Sequence, residues 1–397
     1  MTDSLEYFVN SREALGNGAK KGDGFLSLTS PMRIALMGNS VIVQKNGYTK
    51  HLMEMLNALV SDGASHQFRK HCLGATSMTF GCYLSIRDDI VQNSDLILVD
   101  FCISDRVFSY DDFISELTLS KAIEGLIRHI KSCNHQCNII FLNQSSNHPD
   151  CVEKIAKAEC KITTLYNLIC DYYGVPVIDV AGTIIINRGQ DYFKKLYSKD
   201  DPFHVSEPLG ARIVANLICR ELINLKETDG FQSFPEALYP DNYSNLKILK
   251  LEQLEYRIQG KYKRDRLQNS LLKEDYITIK QGSSIKFRLE GKLIGFHIIA
   301  TRTGGYLTIK VGDHKVTISC YYEIYSQQND WNSLCWFINL PDDQLSSDDF
   351  VDVDIYIVKD ASEVENYVKR PAYTKPESEP DNWELNLISI CYQGEVE

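Results

Sequence analysis

The hydrophobic spacing of this chain changes partway along its length, and that change constrains the fold more than any other feature. From Arg33 to about Asn224, short apolar runs alternate with longer stretches whose apolar residues recur at helical spacing. From Ser284 onward the period becomes two. Ile285, Phe287 and Leu289 face one way while Ser284, Lys286, Arg288 and Glu290 face the other, and Val353, Ile355 and Ile357 do the same against Asp352, Asp354 and Tyr356. A helix-period pattern and a strand-period pattern cannot share one layer, because they place their apolar faces differently. The 397 residues are enough for two separate cores.

In the first part the candidate strands are Arg33–Met37, Phe68–Leu73, Leu96–Phe101, Asn138–Leu142 and Val175–Val180. Helical patterns run over Tyr48–Val60, Ser77–Val91, Ile114–Lys131 and Cys151–Tyr173, the last stopped by Gly174, and a final one over Glu207–Asn224. Strand–helix alternation of this kind predicts an α/β fold: a three-layer α/β/α sandwich around a mainly parallel five-stranded sheet. Sheets of this class bind ligands beyond the C-terminal ends of their strands. Ser40, Gly74 and Ser104-Asp105 all fall just past such ends.

Residues 229–245, with Gly230, Pro235 and Pro240, read as a linker between residues 31–228 and 246–397, and residues 1–30 as an N-terminal arm. The second part predicts an antiparallel β-sandwich of jelly-roll type, with a hairpin of Tyr306–Val311 and Lys315–Ser319 turning through Gly312-Asp313. Residues 359–382 carry three prolines and read as a surface loop before a last strand near Leu385–Tyr392.

Two distant fragments carry reactive chemistry. Gly38-Asn39-Ser40 follows the first apolar run and lifts a serine off a strand end. Asp201-Pro202-Phe203-His204 sets a carboxylate three positions before an imidazole, ahead of the final helix. A serine, a histidine and an aspartate are the set required for acyl transfer through a covalent ester. The three-residue spacing favours Asp201 over the adjacent Asp200 as partner of His204.

On these fragments residues 31–225 resemble the SGNH/GDSL hydrolase superfamily. Gly38-Asn39-Ser40 is similar to its first block, normally Gly-Asp-Ser. Gly74 is similar to the glycine of the second block, and Asp201-Pro202-Phe203-His204 to the last, Asp-x-x-His. The resemblance implies Ser40 as nucleophile, His204 as base and then acid, and Asp201 as the group that orients the imidazole. It further implies an oxyanion hole built from the N–H groups of Ser40 and Gly74. The family's third block, Gly-x-Asn-Asp, supplies an asparagine donor; the matching stretch here, Cys102-Ile103-Ser104-Asp105, has Ser104. Four readings of that change stand open. Ser104 donates directly or through water, Asn143 takes its place, catalysis is slow, or the enzyme shields its acyl-enzyme from water. Asn39 for aspartate reads as the milder change, since that carboxylate is outside the triad.

The C-terminal part resembles the accessory β-domains that stand beside such catalytic domains in carbohydrate esterases. All three tryptophans, Trp331, Trp336 and Trp383, fall within it, either as core residues or as a platform for sugar stacking.

Net charge is −11, which argues against nucleic acid or an anionic membrane as partner. No apolar stretch approaches the roughly 20 residues that span a bilayer. The first fifteen residues, with Asp3, Glu6 and Glu13, do not read as a signal peptide. The 12 cysteines are then expected as reduced thiols in a cytoplasmic protein. Cys133, His135, Cys137, His148 and Cys151 invite a zinc reading, but a strand at Asn138–Leu142 would separate them by roughly 15 Å. Thiols without metal are the expectation, and no metal or organic cofactor is implied.

The expected substrate is therefore an acylated carbohydrate or small ester, and the expected activity removal of O-acetyl groups. An O-acyltransferase with the same triad, and a catalytically lapsed scaffold that binds glycan or protein, are the alternatives.

Overall fold

The computed structural model describes residues 26–61, 63–110, 114–225, 235–268, 273–322, 333–340, 345–360, 362, 364 and 382–397. The chain divides into two compact units. One takes in residues up to Val107 together with Leu119–Ser244, the other Phe108–Thr118 with Asn245–Glu397.

The first unit holds five strands, β1 (Arg33–Gly38), β2 (Gln67–Cys72), β3 (Leu96–Asp100), β4 (Asn138–Leu142) and β5 (Val177–Ile178). They form one sheet in the order β2-β1-β3-β4-β5, every pair parallel. This is the doubly wound order in which the chain first extends the sheet to one side of β1 and then to the other. A crevice opens at the ends of β1 and β3, where the direction reverses.

The central strands read as unbroken apolar runs because both sheet faces are covered. Ile34 and Leu36 of β1, with Leu96 and Leu98 of β3, share a buried cluster with Leu52 and Leu56 from α2 (Tyr48–Asn57) and with Ile213, Val214 and Leu217 from α10 (Leu209–Asn224). The alternate residues Ala35, Met37, Ile97, Val99, Ile139 and Phe141 are equally buried on the opposite face. There Phe141 meets Tyr166 of α7 (Lys161–Tyr172) edge to face, with ring centres 5.7 Å apart. β2 is polar in sequence, Gln-Phe-Arg-Lys-His-Cys, because it is the edge strand and half exposed.

The remaining helices up to residue 200 are α1 (Ser40–Val43), α3 (Met78–Arg87), α4 (Cys102–Tyr110), α5 (Glu116–Cys133), α6 (Pro149–Ala156), α8 (Val180–Arg188) and α9 (Gln190–Lys194). Two expectations are corrected. The span Cys151–Tyr173 is not one helix: α6 stops at Ala156, Ala158 takes a left-handed backbone (φ 57), and Cys160 caps α7. The fifth strand is only two residues long, because the Asp179 side chain accepts the Gly182 N–H and so caps α8 where a strand was expected to continue. Residues 235–245 are pinned to α5. The carboxylate of Glu124 accepts the N–H groups of Leu238 (2.7 Å) and Tyr239 (2.8 Å), and Lys121 pairs with Asp241 at 2.5 Å.

The second unit is an antiparallel β-sandwich that opens with β6 (Lys247–Leu249), β7 (Ile258–Gln259), β8 (Tyr262–Gln268) and β9 (Lys273–Lys280). Its spine is the 18-residue β10 (Ser284–Thr301). β10 pairs with β14 (Ser346–Ile357) along its first half, with β13 (Ser333–Asn339) along its second, and with β15 (Glu384–Val396) on its other edge. The expected hairpin is present as β11 (Tyr306–Val311) and β12 (His314–Ser319), turning at Gly312 with φ +55. Period-two alternation delivers Ile285, Phe287, Leu289, Ile298, Ile309, Ile355 and Leu387 to one core. Trp336 and Trp383 are 2% exposed and belong to that core, Trp383 packing edge to face on Tyr306. The platform reading fails for these two, since a ring with no exposed face cannot stack a sugar; Trp331 lies outside the described residues.

Candidate active site

The Ser40 loop is set by close approach of two strands. Gly38 ends β1 directly against β3: a Cβ there would stand 2.3 Å from the Asp100 carbonyl oxygen. Next, the Asn39 N–H donates to that same carbonyl at 3.3 Å, and the Leu73 N–H donates to Gly38 O at 3.2 Å. Asn39 caps α1, its Oδ1 accepting the Val41 N–H at 3.2 Å. Ser40 is thereby the first helical residue, with its side chain just beyond the sheet.

The second fragment is held as tightly. Asp201 Oδ1 accepts the backbone N–H groups of Phe203 (3.0 Å) and His204 (3.1 Å), closing the turn, while Ser198 Oγ accepts the Asp201 N–H at 3.0 Å. The Asn147 N–H donates to Pro202 O at 2.7 Å, tying the turn to the loop after β4. With Oδ1 occupied by backbone, Oδ2 faces the imidazole and lies 2.7 Å from His204 Nδ1. A carboxylate at Nδ1 keeps the proton there and leaves Nε2 as an acceptor. Nε2 lies 2.8 Å from Ser40 Oγ, across 164 positions of sequence. The three residues singled out in the sequence therefore form one hydrogen-bonded line, and Asp201, not Asp200, is the partner.

Gly74 stands beside Ser40; its nearest neighbour at the Cβ position is Ser40 Cβ at 3.8 Å. That is ordinary contact, so alanine would fit, and glycine is not demanded here by protein packing. Among the described residues neither the Ser40 N–H nor the Gly74 N–H has a hydrogen-bond partner in the protein. Two unengaged donors beside the reactive hydroxyl suit a developing oxyanion. Ser104, in the first turn of α4, is buried, and its Oγ accepts from Asn39 Nδ2 at 2.9 Å. Asn143 follows β4, two strands from β1 and roughly 10 Å away at sheet spacing; its Oδ1 accepts from Arg106 and Cys102, while its buried Nδ2 has no partner among the described residues.

Beneath the loop lies a buried polar network that no motif announced. Asp100 Oδ2 accepts from Tyr48 Oη and Gln144 Nε2, both at 2.6 Å. Arg106, 1% exposed, reaches Gln144 O, Asn143 Oδ1 and Thr163 Oγ1. Asp105 takes the Met78 N–H at 3.0 Å and the Tyr166 hydroxyl. Burial pushes the Asp100 carboxyl up to about 7, against the pull of Tyr48, Gln144 and Arg106. It does the same to Asp105, against Tyr166, the Met78 N–H and Arg106. The one sequence signal for this network is an aspartate closing the all-apolar run of β3.

Among the described residues no group of three or more His, Cys, Asp or Glu side chains is placed to hold a metal ion. Cys133 and Cys137 precede β4, and His148 and Cys151 lie beyond its far end.

No family model matches the chain, and no curated protein matches it. Solved structures do. A two-domain esterase active on acetylated mannans, co-crystallised with mannopentaose, aligns with TM-score 0.63 at 13% identity over 93% of this chain and 92% of that one. The same esterase without the sugar gives 0.62 at 14%, over 93% of each chain. An acetylxylan esterase from Geobacillus stearothermophilus aligns over 50% of this chain and 96% of its own, with TM-score 0.41 at 15% identity. Sheet order and a two-unit likeness over nearly the full length lead to one statement: this chain shares the fold of that two-domain esterase, a doubly wound parallel α/β unit followed by a C-terminal antiparallel β-sandwich.

Proposed function

We propose that the protein is a serine-dependent ester hydrolase that removes O-acyl groups, foremost acetyl, from carbohydrate. The observation that carries this is the line Asp201 Oδ2–His204 Nδ1 at 2.7 Å and His204 Nε2–Ser40 Oγ at 2.8 Å. In the proposed cycle His204 takes the Ser40 proton as Oγ attacks the acyl carbon, and the Ser40 and Gly74 N–H groups receive the oxyanion. His204 then passes its proton to the departing sugar hydroxyl. Water, activated by the same imidazole, releases the acid from the acyl-enzyme. The choice of an acetylated carbohydrate is supported by the likeness to the mannan-active esterase over both units.

Transfer to a sugar hydroxyl would use the same triad with another acceptor. Hydrolysis is favoured because the dyad is open to solvent: the His204 side chain is 23% and the Asp201 side chain 42% exposed, so water can reach the base that must activate it. A lapsed scaffold is disfavoured by an assembled triad.

The test is hydrolysis of 4-nitrophenyl acetate and of acetylated manno- and xylo-oligosaccharides by wild type and Ser40→Ala, with products weighed by mass spectrometry. Free acetate that disappears in Ser40→Ala supports the reading. Acetylated acceptor without free acetate replaces it by transfer, and activity retained in Ser40→Ala refutes the triad.

A further inference from the structure

We infer that Asn39 is a positioning residue: it fixes the direction of the Ser104 hydroxyl so that this hydroxyl becomes the third donor of the oxyanion hole. The inference rests on the proposed Ser40 chemistry and adds a coupled pair to it.

The orientation of the Asn39 amide is settled by backbone groups. Its Oδ1 faces the Val41 N–H at 3.2 Å, a donor, and its Nδ2 faces the Phe101 carbonyl at 3.5 Å, an acceptor. Reversing the amide would oppose donor to donor and acceptor to acceptor. Nδ2 is therefore the atom 2.9 Å from Ser104 Oγ, and in that contact the hydroxyl can only accept. A hydroxyl has a single proton. With Oγ accepting from Asn39, that proton is left to point elsewhere, and accepting a hydrogen bond makes it a stronger donor. Asn39 is 1% exposed and immediately precedes Ser40, so the clasp lies against the nucleophile loop; Ser104 itself retains 9% exposure.

An aspartate at position 39 would invert the arrangement. Its carboxylate would accept the Ser104 proton and remove the donor, while facing the Phe101 carbonyl with like partial charge. In this reading the departures from the Gly-Asp-Ser and Gly-x-Asn-Asp patterns act as one pair: the amide stands at position 39, and the hydroxyl it holds supplies the donor.

The test is a double-mutant cycle of Asn39→Asp and Ser104→Ala, with Asn39→Asp/Ser104→Asn as the rescue. The readouts are kcat and KM for 4-nitrophenyl acetate, fluorophosphonate labelling of Ser40, and unfolding temperature. Asn39→Asp keeps the α1 cap, because a carboxylate oxygen can accept the Val41 N–H. Asn39→Ser, which caps but cannot reach Ser104, takes its place if the aspartate variant is poorly folded. Each single variant is expected to lower kcat about 10²-fold with little change in KM. The Asn39→Asp/Ser104→Ala protein should be no slower than either single, and the rescue pair should recover at least about tenfold over Asn39→Asp. Losses that multiply in the double variant, an unchanged kcat in Ser104→Ala, or no rescue would overturn the coupling. A wild type that neither hydrolyses the ester nor labels at Ser40 would remove the parent reading as well, whereas an active, labelled wild type with multiplying losses removes only the Asn39–Ser104 coupling.

Discussion

Gly38→Ala tests whether the position of the nucleophile depends on how closely β1 approaches β3. The added Cβ would stand 2.3 Å from the Asp100 carbonyl oxygen and 2.7 Å from Ile42 Cδ1. The isoleucine tip can rotate away, but the carbonyl cannot, because it belongs to the strand and accepts the Asn39 N–H. Relief to an ordinary contact requires the strand ends to part by about 1 Å. Overpacking of this kind costs about 1–3 kcal/mol, which for a domain of this size lowers the unfolding temperature by about 4–8 °C at the middle of that range. The displacement passes through Asn39 to Ser40, two residues on. A shift of about 1 Å between nucleophile and base is worth about 10²-fold in rate. Ester hydrolysis, the rate of fluorophosphonate labelling and thermal unfolding should all be compared with wild type. A Gly38→Ala protein with unchanged unfolding temperature and a labelling rate within about twofold of wild type would show that the strand contact does not position Ser40.

Gly74→Ala should behave oppositely, with unfolding temperature and 4-nitrophenyl acetate turnover close to wild type, because its Cβ meets only Ser40 Cβ at 3.8 Å and the N–H is kept; a loss like that of Gly38→Ala would contradict this. Asp201→Asn should lower kcat by the order of 10⁴ through the wrong imidazole tautomer yet leave thermal stability nearly unchanged, since Oδ1 still accepts the Phe203 and His204 N–H groups. Stability should fall as pH rises toward neutrality. Asp100 and Asp105 are pushed up to about 7 by burial, so the folded state holds extra protons between about pH 4 and 7, and the stabilisation present below that window is lost through it. Asp100→Asn cannot ionise and should show a smaller drop in unfolding temperature between about pH 5 and 8; an equal drop in both proteins would exclude Asp100 as a source. Trp383→Ala should cost about 3–5 kcal/mol by emptying the sandwich core, whereas a stable variant with weakened glycan binding would restore the platform reading.

Much of the layout was legible along the chain because local spacing is a local property. A strand covered on both faces must be apolar throughout, so Leu96–Asp100 and Asn138–Leu142 announce themselves, and a half-buried strand must alternate, as Ser284–Leu289 does. Gly-Asn-Ser at a strand end and Asp-x-x-His before a helix were visible for the same reason: each is a short-range geometry, a turn or an Asp side chain closing onto N–H groups two and three residues ahead. Where local signals competed, the reading slipped. No glycine or proline interrupts Lys157–Cys160, so the helical pattern reads straight on, but Ala158 turns left-handed, and the Asp179 carboxylate caps a helix where a strand was expected to continue.

What no local pattern contains is which strand lies beside which. Parallel register sets Gly38 opposite Asp100, and from that one pairing follow the clasp of Asn39 on Ser104 and the seating of the nucleophile loop over Asp100, Tyr48 and Gln144. The meeting of Ser40 with His204 depends likewise on the β4 loop holding the Pro202 turn in place. The sequence by itself determined the two-part build and singled out Ser40, Asp201 and His204, the three side chains that the fold joins by hydrogen bonds. Only tertiary structure decided their distances and the partners buried beneath them, because hydrogen bonds between distant segments are fixed by sheet register and burial, neither of which has a period to read.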